Sequence, residues 1–304
     1  MNRVLLTGAS GFLGRCVVRQ LAADGFEVHA VFHSHEQAVP TGQGIFKHQC
    51  DLLDDAQRNT LLDEVMPADV LHLAWYTVHN EYWTSPENLH WVRASVSLVD
   101  EYVRAGGKRI VIAGTCAEYD STYGYCLEGV TPTNPRTLYG VCKNSLQQIV
   151  SRYSDQVGLS SAWGRLFLLY GPHENENRLV RYVISSLLQD QPALCTHGNQ
   201  IRDYLHVEDA ASAFVQLLKS EVRGPVNIAS GEPVALKEIV GIIANLLDKE
   251  SLVGLGALAA REGEDPLLVA DTRRLRGEVG WTPGISLQEG LKSYIEWCRG
   301  EIIT

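Results

Sequence analysis

Long apolar runs are missing from this sequence. None approaches the ~18 residues of a membrane span, so no membrane-spanning helix is expected. The opening Met1-Asn2-Arg3-Val4-Leu5-Leu6 breaks at Thr7-Gly8, and no small-residue cleavage site follows, so no signal peptide is expected. Paired cysteines are missing too. The seven (16, 50, 116, 126, 142, 195 and 298) are odd in number and scattered, with no C-x-x-C. That pattern fits neither a disulfide framework nor a zinc site, and it points to a reducing cytoplasm and no metal. Basic charge is scarce, with 26 Lys+Arg against 36 Asp+Glu and a formal net charge of −10. A footprint for nucleic acid or an anionic membrane is therefore absent. An anionic ligand would have to be gripped by a few placed arginines.

What is present is an ordinary globular composition: 304 residues, 45% hydrophobic and 20% charged, enough for one large domain or two coupled ones. Short apolar runs alternate with helical periodicity over the first two-thirds of the chain. Strands are expected at residues 3–6, 27–32, 70–73, 109–113 and 160–168. Helices are expected from Leu13 to Gly25, from the Ser85-Pro86 start signal through Val103, and over residues 139–153. Strands without polar alternation, each followed by a helix, imply an α/β fold with a Rossmann-like, doubly wound parallel sheet. After Tyr170 the pattern loosens, with helices at 178–188, 207–219, 236–247 and 286–298 between Gly/Pro-rich turns. The expected division is a dinucleotide-binding domain over 1–170, with 205–230 returning to it, and a smaller C-terminal α/β substrate-binding lobe over 171–304.

Between the first strand and first helix stands Thr7-Gly8-Ala9-Ser10-Gly11-Phe12-Leu13-Gly14. Gly8 permits a tight turn, Gly11 lets backbone approach a pyrophosphate, and Gly14 allows close helix packing. The helix start, with Ser10, Phe12 and Leu13, offers free N–H groups to a phosphate. Asp51 and Leu52 follow a strand-like run and are placed to border an adenine. Leu73 and Ala74 end the fourth strand, where a dinucleotide lies close. His72 beside them reads as a packed core histidine. At the end of the second strand come His33 and Ser34, and no carboxylate stands before Glu36. An acidic residue there would accept from a ribose 2′-hydroxyl and repel a 2′-phosphate. NADP(H) is therefore favoured, with NAD(H) possible.

Tyr139 and Lys143 form a Y-x-x-x-K pair, which at i and i+4 shares one helix face. An ammonium beside a phenol stabilises the phenolate, so a Tyr139 pKa lowered toward neutrality is expected, fit for proton exchange with an alcohol or ketone. Thr115 sits just past the 109–113 strand, its hydroxyl facing the carboxyl end of the sheet where such folds place ligands. Thr115, Tyr139 and Lys143 are the expected catalytic set.

These motifs resemble the extended short-chain dehydrogenase/reductase family of nucleotide-sugar epimerases, dehydratases and reductases. The resemblance runs through nearly the whole chain. It includes Arg165-Leu166-Phe167-Leu168-Leu169-Tyr170-Gly171-Pro172, the segment Arg202-Asp203-Tyr204-Leu205-His206-Val207-Glu208-Asp209, and Arg261-Glu262-Gly263-Glu264. It implies that Leu166 lies beneath the nicotinamide. It also implies that Arg202, Arg261, Tyr204, Leu168 and Arg178 contact a nucleoside-diphosphate sugar. The alternative for Arg202 is a local ion pair with Asp203, and Arg273-Arg274-x-Arg276 reads as a solvated helix face. A homodimer is implied as well, through the helices at 85–104 and 139–153, with Leu98 and Ile149 as spare apolar surface.

Departures narrow the chemistry. Where the 4,6-dehydratases carry an Asp-Glu pair after the threonine, this chain has Cys116 and Ala117. The cysteine of the GDP-fucose-type enzymes would fall on Ala117, and the asparagine of UDP-galactose epimerases on Leu168. What survives is the bare trio with a cofactor. Reduction of the C4 ketone of a nucleoside-diphosphate 4-keto-6-deoxyhexose is the expected reaction. 4-Epimerisation is the alternative, and a non-catalytic NADP-sensing protein a third reading. Placement of the aromatic residues Trp75, Tyr76, Tyr82 and Trp83 and of His173 is left to the tertiary structure.

Overall fold

In the computed structural model, which describes residues 2–260 and 263–303, the apolar runs become a seven-stranded, all-parallel sheet. The elements in chain order are β1 (Arg3–Thr7), α1 (Gly14–Ala23), β2 (Glu27–Phe32), β3 (Ile45–Gln49), α2 (Asp55–Val65), β4 (Asp69–His72), α3 (Glu87–Arg104), β5 (Arg109–Thr115), β6 (Tyr125–Cys126), α4 (Leu138–Val157), β7 (Ser160–Leu166) and β8 (Leu168–Tyr170). Then follow α5 (Leu179–Leu188), β9 (Ala193–Cys195), β10 (Ile201–His206), α6 (Val207–Lys219), β11 (Gly224–Ile228), β12 (Pro233–Ala235), α7 (Leu236–Leu247), β13 (Val253–Leu255), β14 (Leu267–Ala270), α8 (Arg273–Gly277) and α9 (Leu287–Ile303). The large sheet runs β11-β7-β5-β4-β1-β2-β3. Its inner strands are buried on both faces, which is why their sequences are largely apolar, whereas the edge strand β3 is half-exposed and carries Lys47, His48 and Gln49. Along β1, Val4 and Leu6 join the core under α1 and α6, while Leu5 joins the core under α2, α3 and α4.

The strand expected at 160–168 is interrupted. It leaves the large sheet after Leu166, and Leu168–Tyr170 pairs instead with β10 in a second, five-stranded sheet. The Phe167 amide makes the last bond to the large sheet, to the Ile228 carbonyl of β11, and the run passes to the second sheet from Leu168 on. In the new register Leu168 lies opposite Tyr204, so two residues expected at the sugar nucleotide become neighbours. A third core, formed by α5, α7 and α9 around Ile184, Ile243 and Tyr294, underlies the smaller sheet.

The arginine run at 273–276 is not a solvated face throughout. Arg273 is exposed and pairs with Asp271. Arg274 donates to the carbonyls of Pro225 and Arg223, and Arg276 to that of Ser230, so they clamp the flanks of β11. Leu98 is likewise not spare surface: it is 1% exposed in the core, whereas Leu89, Val141 and Ile149 are exposed. Among the described residues, no helix is long and apolar enough to cross a membrane, and no cluster of ligating side chains could hold a metal ion. All seven cysteines are free.

Candidate active site

The glycine loop is a cradle that side chains would fill. Gly8 adopts φ +74°, and a Cβ there would stand 2.9 Å from the Ala74 amide. A Cβ on Gly14 would collide with the Gly8 carbonyl oxygen. The start of α1 has no side-chain cap, so its amides remain available to an anion. Ser10 and Phe12 are half-buried beside an exposed Gly11, while Leu13 packs into the core. Opposite, Thr7 Oγ1 accepts from the amides of Leu73 and Ala74 (3.2 Å each) and bonds His72 Nδ1 at 2.7 Å. His72 Nε2 meets Ser95 Oγ at 2.9 Å. Burial, aided by the Lys143 charge, pushes His72 down to about 3, so it is the neutral core histidine expected.

Beyond β2, His33 and Ser34 are exposed. A cation that the sequence did not place there, Lys47 on β3, donates to the Glu36 carbonyl at 3.2 Å. Asp51 uses one carboxylate oxygen for the Leu53 amide. Leu52 is buried, and its carbonyl accepts from Arg58, itself paired with Glu101.

The trio assembles at the carboxyl end of β5. Thr137 caps α4 by accepting the Gly140 amide, which sets Tyr139 in the first turn and Lys143 one turn on. Tyr139 is walled by aromatics edge-on, with ring centroids at 5.0 Å from Tyr82, 5.7 Å from Trp83 and 6.5 Å from Trp75. Its backbone amide donates to the Trp83 carbonyl. The loop that brings these aromatics is tied down by Asn88, fully buried. Asn88 donates to the carbonyls of Tyr82 and Ser85 and accepts from Trp75 Nε1 at 2.8 Å. Tyr76 bonds Glu81 instead, and His173 meets the Trp297 ring edge-on.

The electrostatics differ from expectation. Lys143, 3% exposed, donates to the Ala113 carbonyl at 2.8 Å and lies over the Trp75 ring. Burial brings its pKa down to about 7, against the pull of Glu118. The Tyr139 phenol is raised by burial, with the Thr115 side chain acting the other way. The expected lowering of the phenol is therefore not present: α-helical spacing puts the two side chains on one face, but aromatic enclosure desolvates both. A protonated phenol near a hydroxyl is the state that donates a proton to a carbonyl.

On the lobe side, Tyr204 lies among Arg178, Arg202, Glu174 and Glu264, whose charges all act on its phenol. Arg202, 7% exposed, pairs with Glu264 at 3.1 Å and not with Asp203. Asp203 instead accepts from Ser230, Gly231 and Ala270, which joins β10 to the strand ends around it. Arg178 reaches the Tyr82 hydroxyl at 3.5 Å, which connects the lobe to the aromatic wall. Arg261 lies outside the described residues. Leu166 ends β7 in register with Thr115. Glu118, not among the expected site residues, also reaches the trio, and Thr115-x-x-Glu118 is the helix-start pattern by which it could have been found.

Comparison with known proteins accords with this geometry. The family model described as NAD dependent epimerase/dehydratase family matches residues 4–229. A UDP-glucose 4-epimerase of Rhizobium leguminosarum bv. trifolii is 25% identical, covering 97% of this chain and 96% of its own. A dTDP-6-deoxy-L-talose 4-dehydrogenase (NAD(+)) of Aggregatibacter actinomycetemcomitans is 27% identical over 78% of this chain and 87% of its own. The solved structure of MoeE5 in complex with UDP-glucuronic acid and NAD superposes with a TM-score of 0.85 at 28% identity, covering 99% and 100% of the two chains. A match from residue 4 to residue 229 takes in the glycine loop, the trio and the β10–α6 segment, and it makes this chain an enzyme of the NAD dependent epimerase/dehydratase family.

Proposed function

We propose that the protein is a nucleoside-diphosphate-sugar 4-epimerase, which oxidises the C4 carbinol of its substrate and re-reduces it from the other face. The observation that carries this reading is the Thr115–Tyr139–Lys143 set beside Cys116 and Ala117, positions without the acid and base that water elimination requires. Such a set exchanges a proton at one sugar oxygen and can do little more. The 4-epimerase among the relatives supports the same reading.

A dinucleotide would be held by the amides around Gly8, Gly11 and the start of α1, with Ala74 and Leu166 along its length. When bound, its nicotinamide supplies hydride acceptance and return. Tyr139 removes the proton from the C4 hydroxyl and gives it back, so it must cycle between phenolate and phenol. Thr115 hydrogen-bonds the same oxygen and keeps it aligned. Lys143 holds the nicotinamide ribose and lowers the cost of the phenolate. Arg202 and Arg178, around Tyr204, grip the diphosphate and sugar end.

A second reading, net reduction of a 4-keto sugar, is favoured by one observation: exposed His33 and Ser34, with Lys47 nearby, leave room and charge for a 2′-phosphate. The deciding experiment supplies 4-hydroxy and 4-keto UDP- and dTDP-sugars with NAD or NADPH. Interconversion of C4 epimers without net cofactor change supports the epimerase, whereas stoichiometric NADPH loss with a 4-keto sugar overturns it in favour of the reductase.

A further inference from the structure

Beneath the trio lies a charge that the proposed reaction does not use. Glu118 is fully buried at the end of the one-turn helix that follows β5. Its Oε1 accepts the Thr115 N–H at 2.8 Å and Trp163 Nε1 at 2.9 Å, and its Oε2 accepts Arg165 Nε at 2.7 Å. In return Thr115 Oγ1 accepts the Ala117 N–H, which closes a capping box. Arg165 lies over the Tyr119 ring, 4.5 Å from its centroid, so the pair is sealed on that side. Gly114 is the residue that makes room, because a Cβ there would collide with Trp163 Nε1.

The bracket has two arms on one tripeptide. Ala113 offers its carbonyl to Lys143, and Thr115 gives its N–H to Glu118. We propose that Glu118 is a positioning residue of this active site: through the Thr115 N–H it fixes the tripeptide whose Ala113 carbonyl holds the Lys143 ammonium. The proposal rests on the trio being the catalytic set. The groups around Lys143 and Tyr139 leave this role to Glu118. His72 on β4 is neutral, Trp75 offers only a ring face, and Cys116 and Tyr82, which act on Tyr139, are held protonated by burial. Arg165 on β7 is taken up by Glu118 itself, and Glu118 is the charge that acts on Lys143 against desolvation. The pair is therefore more than a core ion pair, which a neutral replacement could equal in stability.

The test follows the Lys143 Cε resonance in the full-length protein made with ¹³Cε-lysine, assigned by its loss in Lys143→Met. In Glu118→Gln the Lys143 titration midpoint should fall by about half a unit or more, as expected when an opposing charge is withdrawn. The double variant Glu118→Gln/Arg165→Gln does not strand the Arg165 guanidinium without its carboxylate, and its midpoint should fall in the same direction by a smaller amount. It carries the test if the single variant does not fold. With a turned-over sugar, kcat should drop more than KM changes, and the pH profile should shift with the midpoint. Unchanged Lys143 midpoints in folded variants would overturn the proposal. So would a wild-type midpoint below about 6, the range of a buried lysine without a carboxylate. The titration uses no substrate, so it stands whether or not the nucleotide-sugar reading does.

Discussion

The ammonium of Lys143 lies 3.8 Å from the centre of the Trp75 ring while it donates to the Ala113 carbonyl. Trp75 thus does two things: it covers a buried cation, and it ties the 75–85 loop to Asn88 through its N–H. Trp75→Phe keeps a ring face and loses one hydrogen bond, for a cost of about 1 kcal/mol. Trp75→Leu also removes the cation–π contact and should cost roughly 1–2 kcal/mol more. Urea denaturation of the two variants checks the order, and equal losses would contradict it.

Tyr139→Phe removes the proton carrier and keeps the edge-on contacts with Tyr82 and Trp83. Turnover should fall by about 10²–10⁴, with melting temperature and dinucleotide affinity nearly unchanged. A variant that loses affinity in parallel with rate would assign the ring to binding instead.

At the β2 end, placing a carboxylate beside a 2′-phosphate adds like-charge repulsion. Ser34→Asp should weaken NADP by tenfold or more and leave NAD within about a factor of three. Calorimetry with both cofactors reads this directly. If neither affinity moves, the His33–Ser34 segment does not border the adenosine ribose.

Glu174 is 8% exposed, and burial raises it to about 8 in spite of Arg178 and Arg181. Its pKa in the folded state lies above the unfolded value. Its contribution to stability is therefore fully present below the unfolded value near 4.5 and is lost as pH rises through about 8. Glu174→Gln should flatten the decline in stability between about pH 4.5 and 8, gaining on the order of 1–3 kcal/mol at the alkaline end. Thermal melts of the two proteins across that range would expose a wrong sign at once.

Leu89 on α3 and Val141 and Ile149 on α4 are exposed on two helices that pack together. By the family resemblance we expect these helices to meet their symmetry mates in a homodimer. Sedimentation at micromolar protein should give a dimer, and Ile149→Asp should shift it toward monomer. A wild-type monomer would end this expectation.

What the chain announces by itself is whatever depends on near neighbours in sequence. The G-x-x-G-x-x-G spacing, the Y-x-x-x-K repeat and the strands buried on both faces are local periodicities, and each reappears in the structure where it was read. Long-range packing decided the rest. One apolar run at 160–170 was divided because its first part pairs with β11 whereas Leu168–Tyr170 pairs with β10, both far along the chain. Arg202 found Glu264, 62 residues away, and not its neighbour Asp203, whose carboxylate is consumed by the turn after β11 and the end of β14. The phenol of Tyr139 rose where helix spacing alone would have lowered it. The spacing fixes which face two side chains share, whereas the pKa depends on how many other residues exclude water from that face.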